Sequence, residues 1–123
     1  MGEKIMLIIP VRQLPNDTTS VLVDGLVLKI NCMWNSREEA WYISLYDVGD
    51  NPIIVGQKII QSQNITGRHG LVQFIDGDIY CFNLKTNQAR PLFEDLGTEL
   101  ILAYVTKEET AEIISLYKDT VVY

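Results

Sequence analysis

Cysteine, histidine and excess positive charge are all scarce in this 123-residue chain. The two cysteines, Cys32 and Cys81, are far apart in sequence, and the single histidine is His69. No ligand pair at zinc-site spacing can be drawn from them. Each cysteine falls within an apolar-alternating run, which suits a small buried side chain; a disulfide between them would require an oxidising compartment. The N-terminal apolar stretch, residues 5–9, ends at Pro10 and carries no small-residue cleavage pattern. It reads neither as a signal peptide nor as a membrane span. The sequons at Asn16 and Asn64 accordingly read as chance matches to a short pattern. Met6, where the strong patterning begins, reads as an alternative start.

Lysine and arginine total 10 against 16 aspartates and glutamates, a net charge of −6. A sequence-independent nucleic-acid binder needs a dense basic surface, so DNA and RNA are not expected partners. The same sign weakly favours basic partner surfaces. Nucleotide-binding and hydrolase signatures are missing as well: no G-x-S-x-G, Walker or Rossmann glycine pattern occurs.

The residues that could carry chemistry each have a plainer reading. His69 sits beside Arg68 between glycines, with no nucleophile or carboxylate placed to work with it, and reads as a solvated loop histidine. Carboxylates pair at Asp47/Asp50, Asp76/Asp78 and Glu94/Asp95. Paired acids serve glycoside hydrolysis or bind calcium, but Asp-Gly-Asp is also what a tight hairpin wants. No catalytic, cofactor-binding or metal-ligating residue is therefore expected, and no cofactor.

What is present is a core-forming, strand-rich pattern. The chain is 47% hydrophobic and 21% charged, enough for one globular domain spanning residues 1–123. Leu26, Leu28, Ile30, Cys32 and Trp34 share one face of a strand, with Lys29, Asn31 and Met33 on the other. Asp24-Gly25 before it is a two-residue hairpin signal that pairs it with residues 18–23. After a polar connection, residues 41–46 alternate again, and Gly49-Asp50-Asn51-Pro52 turns the chain into residues 53–60. Residues 61–70 read as a loop. A second hairpin is expected from residues 71–75 and 79–84 around Asp76-Gly77-Asp78. Residues 85–97 read as irregular, with Pro91 arguing against a central strand, and residues 100–105 as the last strand.

At Thr106 the period changes. Thr106 and Glu109 form a capping box for a helix to about residue 118, with Ile113, Ile114 and Tyr117 on one stripe. The expected fold is mainly β: a small antiparallel barrel or sandwich of about seven strands with a C-terminal helix. That helix either docks on its own sheet or reaches a neighbouring subunit. Among the aromatics, Trp34 and Trp41 fall on faces filled with Leu and Ile and read as core. Tyr42 and Tyr46 share the opposite face. With Ile113, Ile114 and Tyr117 they are the candidate protein interface.

Several segments together resemble a known family. They are Met6-Leu7-Ile8-Ile9-Pro10-Val11 with Pro15-Asn16, Trp34-Asn35-Ser36-Arg37, Ala40-Trp41-Tyr42, Leu45-Tyr46-Asp47, Pro52-Ile53 with Gly56, and Asp95-Leu96-Gly97-Thr98 before Tyr104-Val105. In this order they resemble the central plug domain of phage baseplates, a protein of contractile tails, over residues 6–105. Residues 106–123 form an extension beyond the match. The resemblance implies a structural, non-enzymatic virion component, made in the host cytoplasm and assembled into the tail baseplate. It implies hub, spike and tail-tube proteins as partners, and the distal end of the tube as the place it closes. Baseplate symmetry further implies a homo-oligomer, a trimer. No nucleic-acid or membrane contact is implied. The alternative reading is a soluble β domain that binds carbohydrate through Tyr42, Tyr46 and nearby acids; a small hydrolase ranks third for want of a nucleophile–base pair.

Overall fold

The computed structural model describes residues 7–23, 25–66, 77–86, 89–105 and 121–122. Within them the chain forms β1 (Leu7–Ile9), β2 (Asn16–Val23), β3 (Leu26–Asn35), β4 (Ala40–Asp47), β5 (Pro52–Ile59), β6 (Ser62–Asn64), β7 (Asp78–Asn83), β8 (Leu100–Val105) and β9 (Val121–Val122). Gly25, at φ +77°, closes the hairpin in which Val23 faces Leu26, as the Asp-Gly signal predicts. The meander continues through β4 to β5, giving a four-stranded sheet in the order β2-β3-β4-β5. A second sheet has the order β1-β8-β7-β6-β9. Its neighbours are antiparallel except β9, which runs parallel to β6.

Two open sheets make this a sandwich and not a closed barrel. Period-two alternation supplies the filling: Leu28, Ile30 and Cys32 of β3 and Trp41, Ile43 and Leu45 of β4 point inward. They share one buried cluster with Ile79 and Cys81 of β7 and Leu100, Leu102 and Tyr104 of β8. Each fully buried aliphatic side chain there stabilises the fold by about 1.5–3 kcal/mol. The two sheets are joined along one side by residues 10–15 and along the other by residues 60–61.

Three expectations need correction, and a fourth falls outside the described residues. Strands number nine among the described residues, because β1, β6 and β9 are too short to show a period. Residues 61–70 are not all loop: Ser62–Asn64 are buried strand, although Ser, Gln and Asn are poor strand formers, since Ser62 Oγ accepts the Asn83 N–H at 2.6 Å. The hairpin of residues 71–75 with 79–84 does not describe β7, whose edges are taken by β6 and β8; residues 71–75 lie outside the described residues. The helix at residues 106–118 also lies outside them, and just beyond it Val121–Val122 belong to a sheet.

The five-stranded sheet has a second apolar cluster. Tyr80, Phe82, Ala103 and Val105 are buried on the face turned away from the sandwich core. The Tyr80 and Phe82 rings stack at 5.5 Å. This outward layer is why β7 and β8 read as almost continuous hydrophobic runs.

Candidate functional site

The outward face of the four-stranded sheet is polar and irregular, and it holds both tyrosines singled out in the sequence. In register across β3, β4 and β5, Met33 lies opposite Tyr42 and Tyr42 opposite Lys58; Lys29 lies opposite Tyr46 and Tyr46 opposite Pro52. Both tyrosines are half-buried. Between them Ser44 is buried, and its hydroxyl accepts the N–H of Gly56 at 2.9 Å. Gly56 stands at φ +69° beside a register shift, so β5 bulges where only glycine is comfortable.

At the β3–β4 end of this face lies an open cleft of about 720 Å³, lined by Met33, Trp34, Asn35, Arg37, Glu38 and Tyr42 among others. Its polar groups are largely occupied with one another. Asn35 Oδ1 accepts the backbone N–H groups of Arg37 and Glu38, each at 3.0 Å, and so builds the turn. The Tyr42 hydroxyl donates to the Glu38 carboxylate, which also pairs with Lys58 Nζ at 3.2 Å. The Tyr42 hydrogen bond, then that of Lys58, hold the Glu38 carboxyl below its usual range; the same bond raises the Tyr42 phenol. Asn35, Arg37 and Glu38 belong to what the sequence presents only as a polar connection. Their only signal was Asn before a short polar turn.

The carboxylate pairs dissolve into separate structural jobs. Asp47 Oδ1 accepts the N–H groups of Gly49 and Asn51 at 2.9 and 2.8 Å, while Asp50 pairs with Lys29 at 2.7 Å. The Asn51 and Gly49 bonds lower the Asp47 carboxyl. Asp78 accepts from Thr66 Oγ1 at 2.8 Å and Asn64 Nδ2 at 3.2 Å. Asp95 accepts from Leu92 N–H and Lys85 Nζ, at 2.7 and 2.8 Å. Among the described residues no group of three or more His, Cys, Asp or Glu side chains could hold a metal ion. Asp76, His69, Ile113, Ile114 and Tyr117 lie outside the described residues.

The residues that carry the family likeness sit in the core, at turns and at one bulge. Trp41 and Leu96 fill the core, Asn35 and Asp47 build turns, and Gly56 forms the bulge. Gly97, at φ +88°, packs where an added Cβ would lie 3.5 Å from the Val11 carbonyl oxygen. Thr98 Oγ1 donates back to the Asp95 carbonyl at 3.0 Å. What these residues share is a shape. A family model described as cyanophage baseplate Pam3 plug gp18 matches residues 6–108. The chain belongs to this baseplate plug family. As a member it is a structural component of the phage virion, located in the tail and associated with other baseplate or tail proteins. No curated protein matches the chain. No helix among the described residues of this plug protein is long and apolar enough to cross a membrane.

Proposed function

We propose that the protein packs near the hub and spike of the baseplate and helps close the distal end of the tail tube through fixed protein contacts. The observation that carries this reading is the use of the family's residues: turns, a bulge and core positions that hold one rigid outline. A plug needs such an outline more than it needs a reactive group. Non-enzymatic action follows from the same reading. Tyr42 and Tyr46, half-buried on the outward face of the four-stranded sheet beside exposed Met33, supply the contact area. Tyrosine suits that role because it offers a large ring and a polar tip with few rotatable bonds.

The cleft beside Tyr42 favours a second reading, carbohydrate binding. Against it stands the mutual engagement of Tyr42, Glu38 and Lys58, which leaves fewer polar groups to read a sugar's hydroxyls. The test is tail assembly with the Tyr42→Ala/Tyr46→Ala protein. A folded variant that fails to join tails supports the plug interface. Normal incorporation overturns this face as the contact, and glycan binding lost in the same variant would favour the second reading.

A further inference from the structure

The edges of the two sheets are unequally protected. An unpaired edge offers a row of free N–H and C=O groups to any extended chain, and proteins usually blunt it with prolines, bulges, lysines or shortness. In the five-stranded sheet the edges are β1 and β9, only three and two residues long. In the four-stranded sheet, β5 begins with Pro52, is bulged at Gly56 and carries Lys58. The other edge, β2, has no proline, bulge or lysine, and its single charged residue is Asp17. It is eight residues long, regular in register with β3 throughout, and reads Asn-Asp-Thr-Thr-Ser-Val-Leu-Val.

The hydrogen-bond phase of β2 follows from one bond. Trp34 N–H donates to the Pro15 carbonyl at 2.8 Å, one step before the Asn16–Met33 pair. In an antiparallel ladder, bonded and non-bonded pairs alternate. Asp17, Thr19, Val21 and Val23 therefore turn their backbone groups toward β3, and Asn16, Thr18, Ser20 and Leu22 turn theirs away from the sheet. The side chains of these last four are exposed on the outward face and uncharged. The edge is also held straight. Asn31 Nδ2 donates to Asn16 Oδ1 at 2.8 Å and to Thr18 Oγ1 at 3.1 Å on one face. On the other, Arg12 clamps both oxygens of Asp17, at 2.7 and 3.1 Å.

We propose that β2 pairs antiparallel with β2 of a second copy across a two-fold axis, joining two four-stranded sheets into one. A second copy brings an equally unbroken edge, and among the described residues β2 is the strand that supplies one. The edge is self-complementary. With Thr19 on the axis, Thr18 faces Ser20 of the partner subunit and Asn16 faces Leu22 of the partner subunit. Every outward N–H and C=O of residues 16–22 then finds a partner. Charge does not oppose the pairing, although each chain carries a net −6. The one charged residue of β2, Asp17, is already neutralised by Arg12. Hydroxyl pairs such as Thr–Ser add to cross-strand stability.

The inference is independent of the baseplate reading, and its test is made on the isolated full-length chain. Sedimentation across a range of concentrations should show a reversible dimer. Ser20→Pro removes an N–H that β3 does not use, so the variant keeps its own ladder but should dimerise roughly tenfold or more weakly. Residue-resolved hydrogen exchange supplies a second readout. At high concentration the amides of Asn16, Thr18, Ser20 and Leu22 should be protected, and dilution should release them while Thr19 and Val21 stay protected. A monomer at all concentrations overturns the proposal. So does a dimer or trimer that Ser20→Pro leaves intact with those four amides exchanging freely.

Discussion

Trp41 donates its indole N–H to the Leu92 carbonyl oxygen at 3.1 Å, tying the start of β4 to the segment before β8. The ring is fully buried, stacks on Phe93 at 5.5 Å and meets Trp34 edge-on at 5.4 Å. Trp34 also meets Phe93 edge-on, at 5.8 Å, but is itself half-buried.

The two tryptophans should therefore differ in urea unfolding. Trp41→Ala is expected to lose about 3–5 kcal/mol, from the cavity and the orphaned carbonyl together. Trp34→Ala, at the rim of the cluster, should lose less, and Trp41→Phe should recover much of the packing but not the hydrogen bond. Equal losses at both positions would contradict the burial difference.

Asp95 predicts an acid-sensitive element. Burial raises its carboxyl, but the Lys85 ammonium and the Leu92 N–H outweigh that and leave it below its usual value. A carboxyl lowered in the folded state contributes stability that is fully present above its unfolded value, about 3.9, and is lost as pH falls through the folded one. Asp95→Asn should cost about 1–2 kcal/mol at neutral pH, a charged bond to Lys85 being replaced by a neutral one. The gap between the variant and the native protein should close below pH ~4. A gap that stays constant down to pH ~2 would show that the charge contributes nothing.

Both thiols should be silent in the folded protein. Burial, with a smaller push from Asp17, raises Cys32 to about 12, and burial raises Cys81 further, with Cys32 adding to it. Since the thiolate is the reactive form, a disulfide-exchange reagent at pH 8 should modify neither cysteine until denaturant is added. Prompt reaction of one thiol in native buffer would mean that the sandwich opens locally near β3 or β7.

Legibility in the sequence followed length and regularity. The hairpin of β2 with β3 was readable because a two-residue Asp-Gly turn fixes register and alternation fixes the face. Residues 100–105 were readable as a strand because a continuous apolar run is consistent with burial on both faces. The strand at Ser62–Asn64 was not, since its residues are held by a bond from β7 across a long stretch of chain. The outward placement of Tyr42 and Tyr46 came from period two alone. The cleft beside Tyr42 did not, because it depends on how a turn and a bulge from β5 approach each other in space. The unprotected β2 edge was hidden for a similar reason: a strand becomes an edge only when the sheet order is known.

The end of the chain can be tested by stepwise deletion. Val121 and Val122 pair in parallel with Ser62 and Gln63, so β9 gives β6 a neighbour on its second side. Removing residues 121–123 alone would make β6 an exposed edge of three residues whose side chains are otherwise buried. A strand that short contributes few bonds, each about 0.5–1.5 kcal/mol, so the expected loss is ~1–2 kcal/mol, or roughly 5–10 °C in Tm. Removing residues 106–123 takes away the expected interface residues Ile113, Ile114 and Tyr117 as well. If that longer deletion lowers Tm further, the segment stabilises the domain to which it is attached. If it adds nothing to the shorter deletion but abolishes incorporation into tails, those residues serve a neighbour in the baseplate. An unchanged Tm after the shorter deletion would remove β9 from the list of strands that matter to stability.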